Sequence, residues 1–290
     1  MKICGFTIIR NGVKFDYPFI EAITSILPIC DKFVVACGSS EDTTIEKIKE
    51  INSDKIEIIN TVWDDSLREG GKVLALETNK AFDAIGEEYD WAFYIQGDEV
   101  IHEKYLPAIR KDMELYLNHL EVEGLLFNYL HFNGTYDYVA NSRNWYRREI
   151  RIIRNNKKIR SYKDAQGFRF DGVRKLNVKH IDSFVYHYGW VKNPKKMLEK
   201  QQNLSKMWHD DKWVEENFGK MEVFDYSGID RIKLFNGTHP AVMSERINSM
   251  NWHLKPDPNK TSQHFHERLL HLIENITGYR LFEYKNYKII

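Results

Sequence analysis

The first hundred residues alternate short runs rich in β-branched and aromatic residues with longer segments of helical composition, and this alternation restricts the fold most. KICGFTII, KFVVACG and KIEIINTVW read as strands, while YPFIEAITSIL and DTTIEKIKEIN between them read as helices. Consecutive strands separated by helix-length segments need crossover connections, so the pattern predicts βαβ units and a mostly parallel α/β sheet flanked by helices. Residues 70–86, with Val73, Leu74, Leu76, Ala81, Phe82 and Ile85, predict another helix, and WAFYI is the continuous apolar run of a strand buried on both faces. A helix over about Glu103 to Leu120 and a long strand, GLLFNYLHF, follow.

After about Asn141 the texture changes. RREIRIIRNNKKIRS predicts a hairpin turning at Asn155-Asn156, an antiparallel extension of the sheet. From Pro194, KKMLEKQQNLSKMWHDDKWVEENF predicts one long amphipathic helix in which Met197, Leu198, Leu204 and Met207 form a packing stripe. Pro240, Pro256 and Pro258 mark breaks, and the tail from Lys260 adds one helix and a strand-like run, YRLFEYKNYKII. The expected organisation is an α/β domain over residues 1–192 followed by a mainly helical accessory region over 193–290.

At 290 residues the chain can bury a large core. Its 42 basic side chains balance 42 acidic ones, so no overall field draws it to nucleic acid or an anionic membrane. No apolar run approaches the roughly 20 residues that cross a bilayer, which leaves peripheral membrane contact as the form of association. Cys4, Cys30 and Cys37 lack metal-ligand spacing, and the start MKICGFTIIRNG lacks a secretion leader, so a cytoplasmic location, at most against the inner face of the membrane, is expected.

Candidate chemistry gathers where WAFYI breaks into Gln96-Gly97-Asp98-Glu99. Ligands of open parallel sheets collect beyond the carboxyl ends of the strands. A carboxylate there either holds Mg²⁺ or Mn²⁺ whose shell substrate phosphates complete, or caps the helix that follows. The order of segments resembles glycosyltransferase family 2, the nucleotide-sugar enzymes of the GT-A fold. FTIIRNGVKFDYPFIEAITSIL resembles the family's first strand, polar turn and helix; KFVVACGSSEDTT resembles the second strand with its Ser-x-Asp-x-Thr loop; GGKVLALETNKAFDAIGEEYDWAFYIQGDEV resembles the Asn-bearing helix and the Asp-x-Asp-Glu signature.

The resemblance implies a GT-A Rossmann-like sheet, a nucleotide-diphosphate sugar donor, a hydroxyl acceptor on a glycan or lipid-linked glycan, and a Mn²⁺ or Mg²⁺ cofactor. It implies donor contacts from Thr7, Arg10, Asn11, Ser40, Asp42, Asn79, Gln96 and Gly97, with Asp98 as metal ligand. Two departures stand out: Cys37 occupies a position often acidic in relatives, and Gln96 replaces the first Asp of the signature. SFVYHYGWVKNPKKMLEKQ resembles a downstream block of bacterial members, in which His187 is a metal ligand or diphosphate contact, or else a packing residue, and Trp190 forms a sugar-facing wall or packs in the core. KDAQGFR falls where the family often carries its catalytic carboxylate, which makes Asp164 the expected base, with Asp171 and Glu149 in reserve.

The basic cluster Arg143, Arg147, Arg148, Arg151, Arg154, Lys157, Lys158 and Arg160 reads mainly as the solvated face of a half-exposed strand, with one or two members left for a phosphate. His253, His264, His266 and His271 lack a His-Glu-x-x-His arrangement and read as surface positions. A sugar nucleotidyltransferase is the rival enzyme class, but TIIRNGVKFDY offers one glycine and Arg10 in place of a glycine-rich phosphate loop. A non-catalytic nucleotide-sugar or glycan-binding relative is the third reading, motivated by Gln96 and Cys37.

Overall fold

The computed structural model describes residues 1–229, 231–254 and 265–290, with side chains from 268 onward in the last stretch. The elements run β1 (Ile3–Ile9), α1 (Phe19–Ile26), β2 (Lys32–Gly38), α2 (Thr44–Glu50), β3 (Ile56–Thr61), α3 (Lys72–Asp83), β4 (Trp91–Tyr94), β5 (Glu99–Ile101), α4 (Leu106–Leu115) and β6 (Gly124–Asn133). Then follow β7 (Tyr138–Ala140), β8 (Arg148–Arg154), β9 (Ile159–Tyr162), β10 (Gly167–Phe170), β11 (Arg174–Lys175), β12 (Asn177–Trp190), α5 (Pro194–Ser205), α6 (Asp211–Phe218), β13 (Ile232–Leu234), α7 (Ser244–Asn248), α8 (Phe265–Thr277) and β14 (Lys288–Ile289).

The main path of the large sheet is β13-β7-β6-β8-β4-β1-β2-β3, with β12 beside β6 and pairing β5 and β14. β4, β1, β2 and β3 are mutually parallel, as the βαβ rhythm predicts. β8 inserts antiparallel between β4 and β6, so the sheet is mixed. β1 is buried along its whole length and feeds both faces: Ile3 and Ile9 join the layer under α1 and α4, while Cys4, Phe6 and Ile8 join the layer under α3. At about 1.5–3 kcal/mol per large side chain, these two layers hold the elements together.

Several expectations need correction. β8 and β9 do not form a hairpin, because β9 leaves to pair β10 in a separate three-stranded sheet. The chain does turn at Asn155, whose Nδ2 donates to the carbonyls of Gly86 and Tyr89 at 2.7 and 3.0 Å. The helix expected to reach Leu120 ends at Leu115, and Arg154 donates to the carbonyls of Leu117 and His119 in the turns that follow it. The long helix after Pro194 breaks between Ser205 and Asp211, and Asp210 caps the second half by accepting from the Trp213 N–H at 2.8 Å.

The C-terminal region is mixed and not mainly helical. β13 pairs β7 and β14 pairs β12, so this part of the chain returns twice to the large sheet. Of the expected breaks, Pro240 precedes a short 3₁₀ turn, while Pro256 and Pro258 lie outside the described residues. Among the described residues no helix is long and apolar enough to cross a membrane.

Candidate active site

A cavity of about 520 Å³ opens beyond the carboxyl ends of β1, β3 and β4, within the size range of small-molecule sites. Parallel strands present the loops that follow them on one edge, so Arg10 and Asn11, then Trp63 to Asp65, then Gln96 to Asp98 converge. The loop bearing Asp164 and the start of β12's exit, with His187 and Trp190, close a second side. The end of α5 and the turn after it, from Lys200 to Trp208, cover the third.

Eight expected site residues line this cavity: Arg10, Asn11, Gln96, Gly97, Asp98, Asp164, His187 and Trp190. Thr7, Ser40, Asp42 and Asn79 do not. Thr7 is buried within β1. Ser40 accepts from the Asn11 N–H at 3.0 Å, and Asp42 accepts from the Lys14 and Thr44 N–H groups at 2.6 and 3.0 Å, so they bind the first two loops to each other. Asn79 accepts from the Ser161 N–H at 2.8 Å and fastens α3 to β9. Of the reserve carboxylates, Asp171 is exposed on the turn after β10, and Glu149 is buried outside the cavity lining.

Asp98 is the electrostatic centre. Its Oδ2 lies 3.3 Å from Lys200 Nζ and 3.6 Å from His187 Nε2. Burial works against its charge, but the Lys200 ammonium and His187 outweigh burial and hold the carboxyl well below its ordinary range. Burial lowers the Lys200 ammonium in turn, with Asp98 opposing, and Lys200 also donates to the Gly189 carbonyl at 2.8 Å. Lys192 is fully buried nearby and is pushed down to about 7, first by burial and then by Lys200.

Glu99 faces inward. Its Oε1 accepts from Arg151 Nη2 at 2.7 Å and the Tyr129 hydroxyl at 2.8 Å, and its Oε2 accepts from Arg151 Nε at 2.8 Å and the Gln96 N–H at 3.1 Å. Both partners of the ion pair are sealed from solvent, at 1% and 0% side-chain exposure. Arg151 also donates to the Gln166 carbonyl at 3.4 Å, and Gln96 Nε2 donates to the Ala165 carbonyl at 3.2 Å. The acidic turn and the Asp164 loop are therefore held as one unit. Gln96 answers its own anomaly: a carbonyl acceptor requires a donor opposite it, which an Asp at this position would lack.

The Asp164 loop has Lys163 and Ala165 in the left-handed region at φ 54° and 60°. Such backbone is costly for residues with a Cβ and persists where surroundings over-determine it. Burial pushes the Asp164 carboxyl above its ordinary value, the direction that suits a proton acceptor near neutral pH. Arg10 makes a bidentate pair with Asp65 at 2.5 and 3.0 Å beside Trp63, and Asp64 lines the cavity next to it. Cys37 itself is buried within β2.

A divalent ion fits the donor set in a restricted sense. Asp98 and His187 place one carboxylate and one imidazole 3.6 Å apart, with the Lys200 ammonium 3.3 Å from the same Asp98 oxygen, so a divalent ion there would need phosphate oxygens and water to complete its shell. Among the described residues no group of three or more His, Cys, Asp or Glu is arranged for a metal.

The basic cluster is engaged within the chain more than expected of a solvated face: Arg151 is buried, Lys158 is exposed and the other six members are half-buried. Arg143 pairs with Glu274, Arg147 with Glu283 and Arg160 with Asp83, while Arg154 donates to carbonyls after α4 and Lys157 to those at the end of α3; none lines the cavity. Met197 and Leu198 are buried as expected of a stripe, but Leu204 and Met207 line the cavity. His253 is exposed, His271 is buried, and His264 and the His266 side chain lie outside the described residues. Sequence reasoning missed Lys200, Lys192, Arg151, Trp63 and Trp208. A lysine within KKMLEKQQ carries no local sign that its ammonium turns inward; only the Asp98 contact reveals it.

No protein-family model matches the sequence, and no curated protein matches it. Among solved structures the match to S. aureus TarS has a TM-score of 0.41 at 15% identity, covering 74% of this chain and 42% of TarS. The match to 4-diphosphocytidyl-2C-methyl-D-erythritol synthase from Anaerococcus prevotii has a TM-score of 0.36 at 9% identity, covering 66% of this chain and 89% of that one. Glucosyl-3-phosphoglycerate synthase from Mycobacterium tuberculosis, solved with Mn²⁺, uridine diphosphate and phosphoglyceric acid, matches at 0.31 and 16%, covering 46% and 44%. All three likenesses are distant and partial. The chain spans less than half the length of the TarS chain.

Proposed function

We propose that this chain is a nucleotide-sugar glycosyltransferase that moves a sugar from a nucleotide-diphosphate donor to a hydroxyl acceptor with inversion. The observation that carries this reading is the convergence in one cavity of Asp98, His187 and Lys200 on one side with the burial-raised Asp164 on another. The first group suits an anionic leaving group, and the second suits the nucleophile.

Asp98 and His187 would hold Mn²⁺ or Mg²⁺, which when bound would supply positive charge for the departing diphosphate. Lys200 adds a fixed ammonium at the same wall, where low dielectric strengthens its field. Asp164 accepts the acceptor hydroxyl's proton as that oxygen attacks the anomeric carbon and the bond to the diphosphate breaks. Trp190, Trp63 and Trp208 line the cavity with aromatic surface suited to sugar and base faces. The acceptor, a glycan or lipid-linked glycan in this reading, reaches the open side.

A thermal-shift series with nucleotide sugars, with and without Mn²⁺, tests donor recognition, since a ligand at 100 times its Kd stabilises by about 2.7 kcal/mol. At least one nucleotide sugar raises Tm, more so with Mn²⁺. A flat response across donors of every base contradicts the reading. Nucleotidyl transfer is separated by product, because it releases pyrophosphate where sugar transfer releases nucleoside diphosphate.

A further inference from the structure

We infer that the surface formed by α8 and residues 279–288 is a membrane-docking face whose partner is an anionic lipid bilayer. This goes beyond the peripheral contact expected from the sequence by assigning it to particular side chains, and it stands whether or not the cavity transfers a sugar.

α8 turns His271 and Glu274 toward the rest of the chain: His271 is buried, and Glu274 accepts from Arg143 Nη1 at 2.6 Å and Arg280 Nε at 3.1 Å. At about 100° per residue, Leu269, Leu272 and Ile276 fall within about 60° of one another on the opposite side. They are 48%, 54% and 75% exposed. The helix ends at Thr277, Gly278 takes the left-handed cap at φ 69°, and the turn that follows is fastened from inside. Arg280 donates to the carbonyls of Trp145 and Ser142 at 2.8 and 3.3 Å, the Leu281 carbonyl accepts from Arg143, and Glu283 accepts from Arg147 at 2.8 Å. With those groups turned inward, Tyr279, Phe282 and Tyr284 stand outward at 61%, 90% and 63% exposure. Phe282 has φ 58°, a backbone that glycine or asparagine adopts at lower cost. A phenylalanine so placed adds little to the packing of this chain, and its apolar surface suits something outside it.

The charges sort the same way. Glu274 and Glu283 are 14% and 11% exposed and paired with arginines, whereas Arg268 and Lys288 are exposed. Lys285 Nζ lies 5.9 Å from the Tyr279 ring centroid, and the exposed Lys163 and Lys175 lie 5.8 and 5.7 Å from that of Tyr284. The charged and large apolar side chains presented outward are therefore cationic, aliphatic and aromatic, the composition of segments that lie in the headgroup layer of an anionic bilayer. Ile276 and Phe282 protrude, and fluid lipid accepts protruding side chains without a matching cavity. Two copies face to face would set the same cations against each other, which disfavours a second copy as the occupant. Lys163 immediately precedes Asp164, so a bilayer seated here borders a loop that also lines the cavity.

Flotation of the full chain with large unilamellar vesicles, without donor or metal, tests this. The chain should float with phosphatidylcholine vesicles that contain phosphatidylglycerol, weakly with phosphatidylcholine alone, and less as salt is raised. Phe282→Asn should weaken binding about 10-fold or more, while its Tm stays at or above wild type because asparagine fits the left-handed backbone. Lys285→Glu combined with Lys288→Glu should weaken binding to the anionic vesicles about 10-fold or more and leave binding to phosphatidylcholine little changed. Val62→Asn, at a residue 75% exposed just past β3 on the far edge of the sheet, should bind as wild type. Absence of binding to anionic vesicles, equal binding to both compositions, or equal binding by wild type and Phe282→Asn overturns the assignment. So does an equal loss in Val62→Asn and Phe282→Asn, or a lower Tm in Phe282→Asn, which would show that the ring packs against the fold. A concentration-dependent dimer that Phe282→Asn abolishes, with no vesicle binding, gives the face to a second copy instead.

Discussion

Gln96 stands where an acidic residue was expected in the turn after β4, and its side-chain amide donates to the Ala165 carbonyl. Gln96→Glu replaces the donor with an acceptor between Asp98, Glu99 and a carbonyl, and should lower stability by about 1–3 kcal/mol. Urea unfolding checks this; an unchanged midpoint would show that the amide does not hold the Asp164 loop. Glu149 is a second test at this scale. Its buried carboxyl is pushed up to about 8, mainly by burial, from an ordinary 4.5. The folded chain therefore keeps a proton that the unfolded chain releases, and stability falls as pH rises from about 4.5 through about 8. Glu149→Gln should remove this loss, raising Tm at pH 9 and converging on wild type near pH 5. A constant offset across pH would contradict the assignment.

Among elements, the legible ones were those whose apolar pattern settles their burial: β1, β2, α3, β4 and β6 lie where their runs predict. The βαβ half and its converging loops followed from that, and Asp98 was legible because a polar turn ended a buried strand. β8 was misread because its alternating arginines resemble a solvated face, whereas Arg151 is taken up by Glu99 and Arg154 by carbonyls in the turns after α4. Those partners lie 52 and about 35 residues away in sequence, beyond any local pattern. The pair is also an element-scale test. Arg151→Met leaves a buried carboxylate unpaired and should cost about 3–5 kcal/mol, whereas replacing Arg151 and Glu99 together with apolar residues should cost less. Equal losses in the two proteins, read from denaturant midpoints, would show that the ion pair does not join β8 to the acidic turn.

At the scale of the whole molecule, the expected boundary near residue 193 separates segments that the sheet reunites. β14 lies against β12, β13 lies against β7, and α5 sends Lys200 to Asp98. The end of α5 and the Trp208 turn are thus walls of the cavity, a role that no helical periodicity announces. The central claim is that this assembled cavity transfers a sugar, with Asp164 taking the proton. Its most direct test is product analysis after incubating the full chain with the nucleotide sugar that stabilises it, Mn²⁺ and a hydroxyl acceptor panel. The account predicts nucleoside diphosphate and a glycosylated acceptor, with the rate reduced about 10²–10⁴-fold in Asp164→Asn at retained donor stabilisation; pyrophosphate as the product, or an Asp164→Asn protein as fast as wild type, would contradict it.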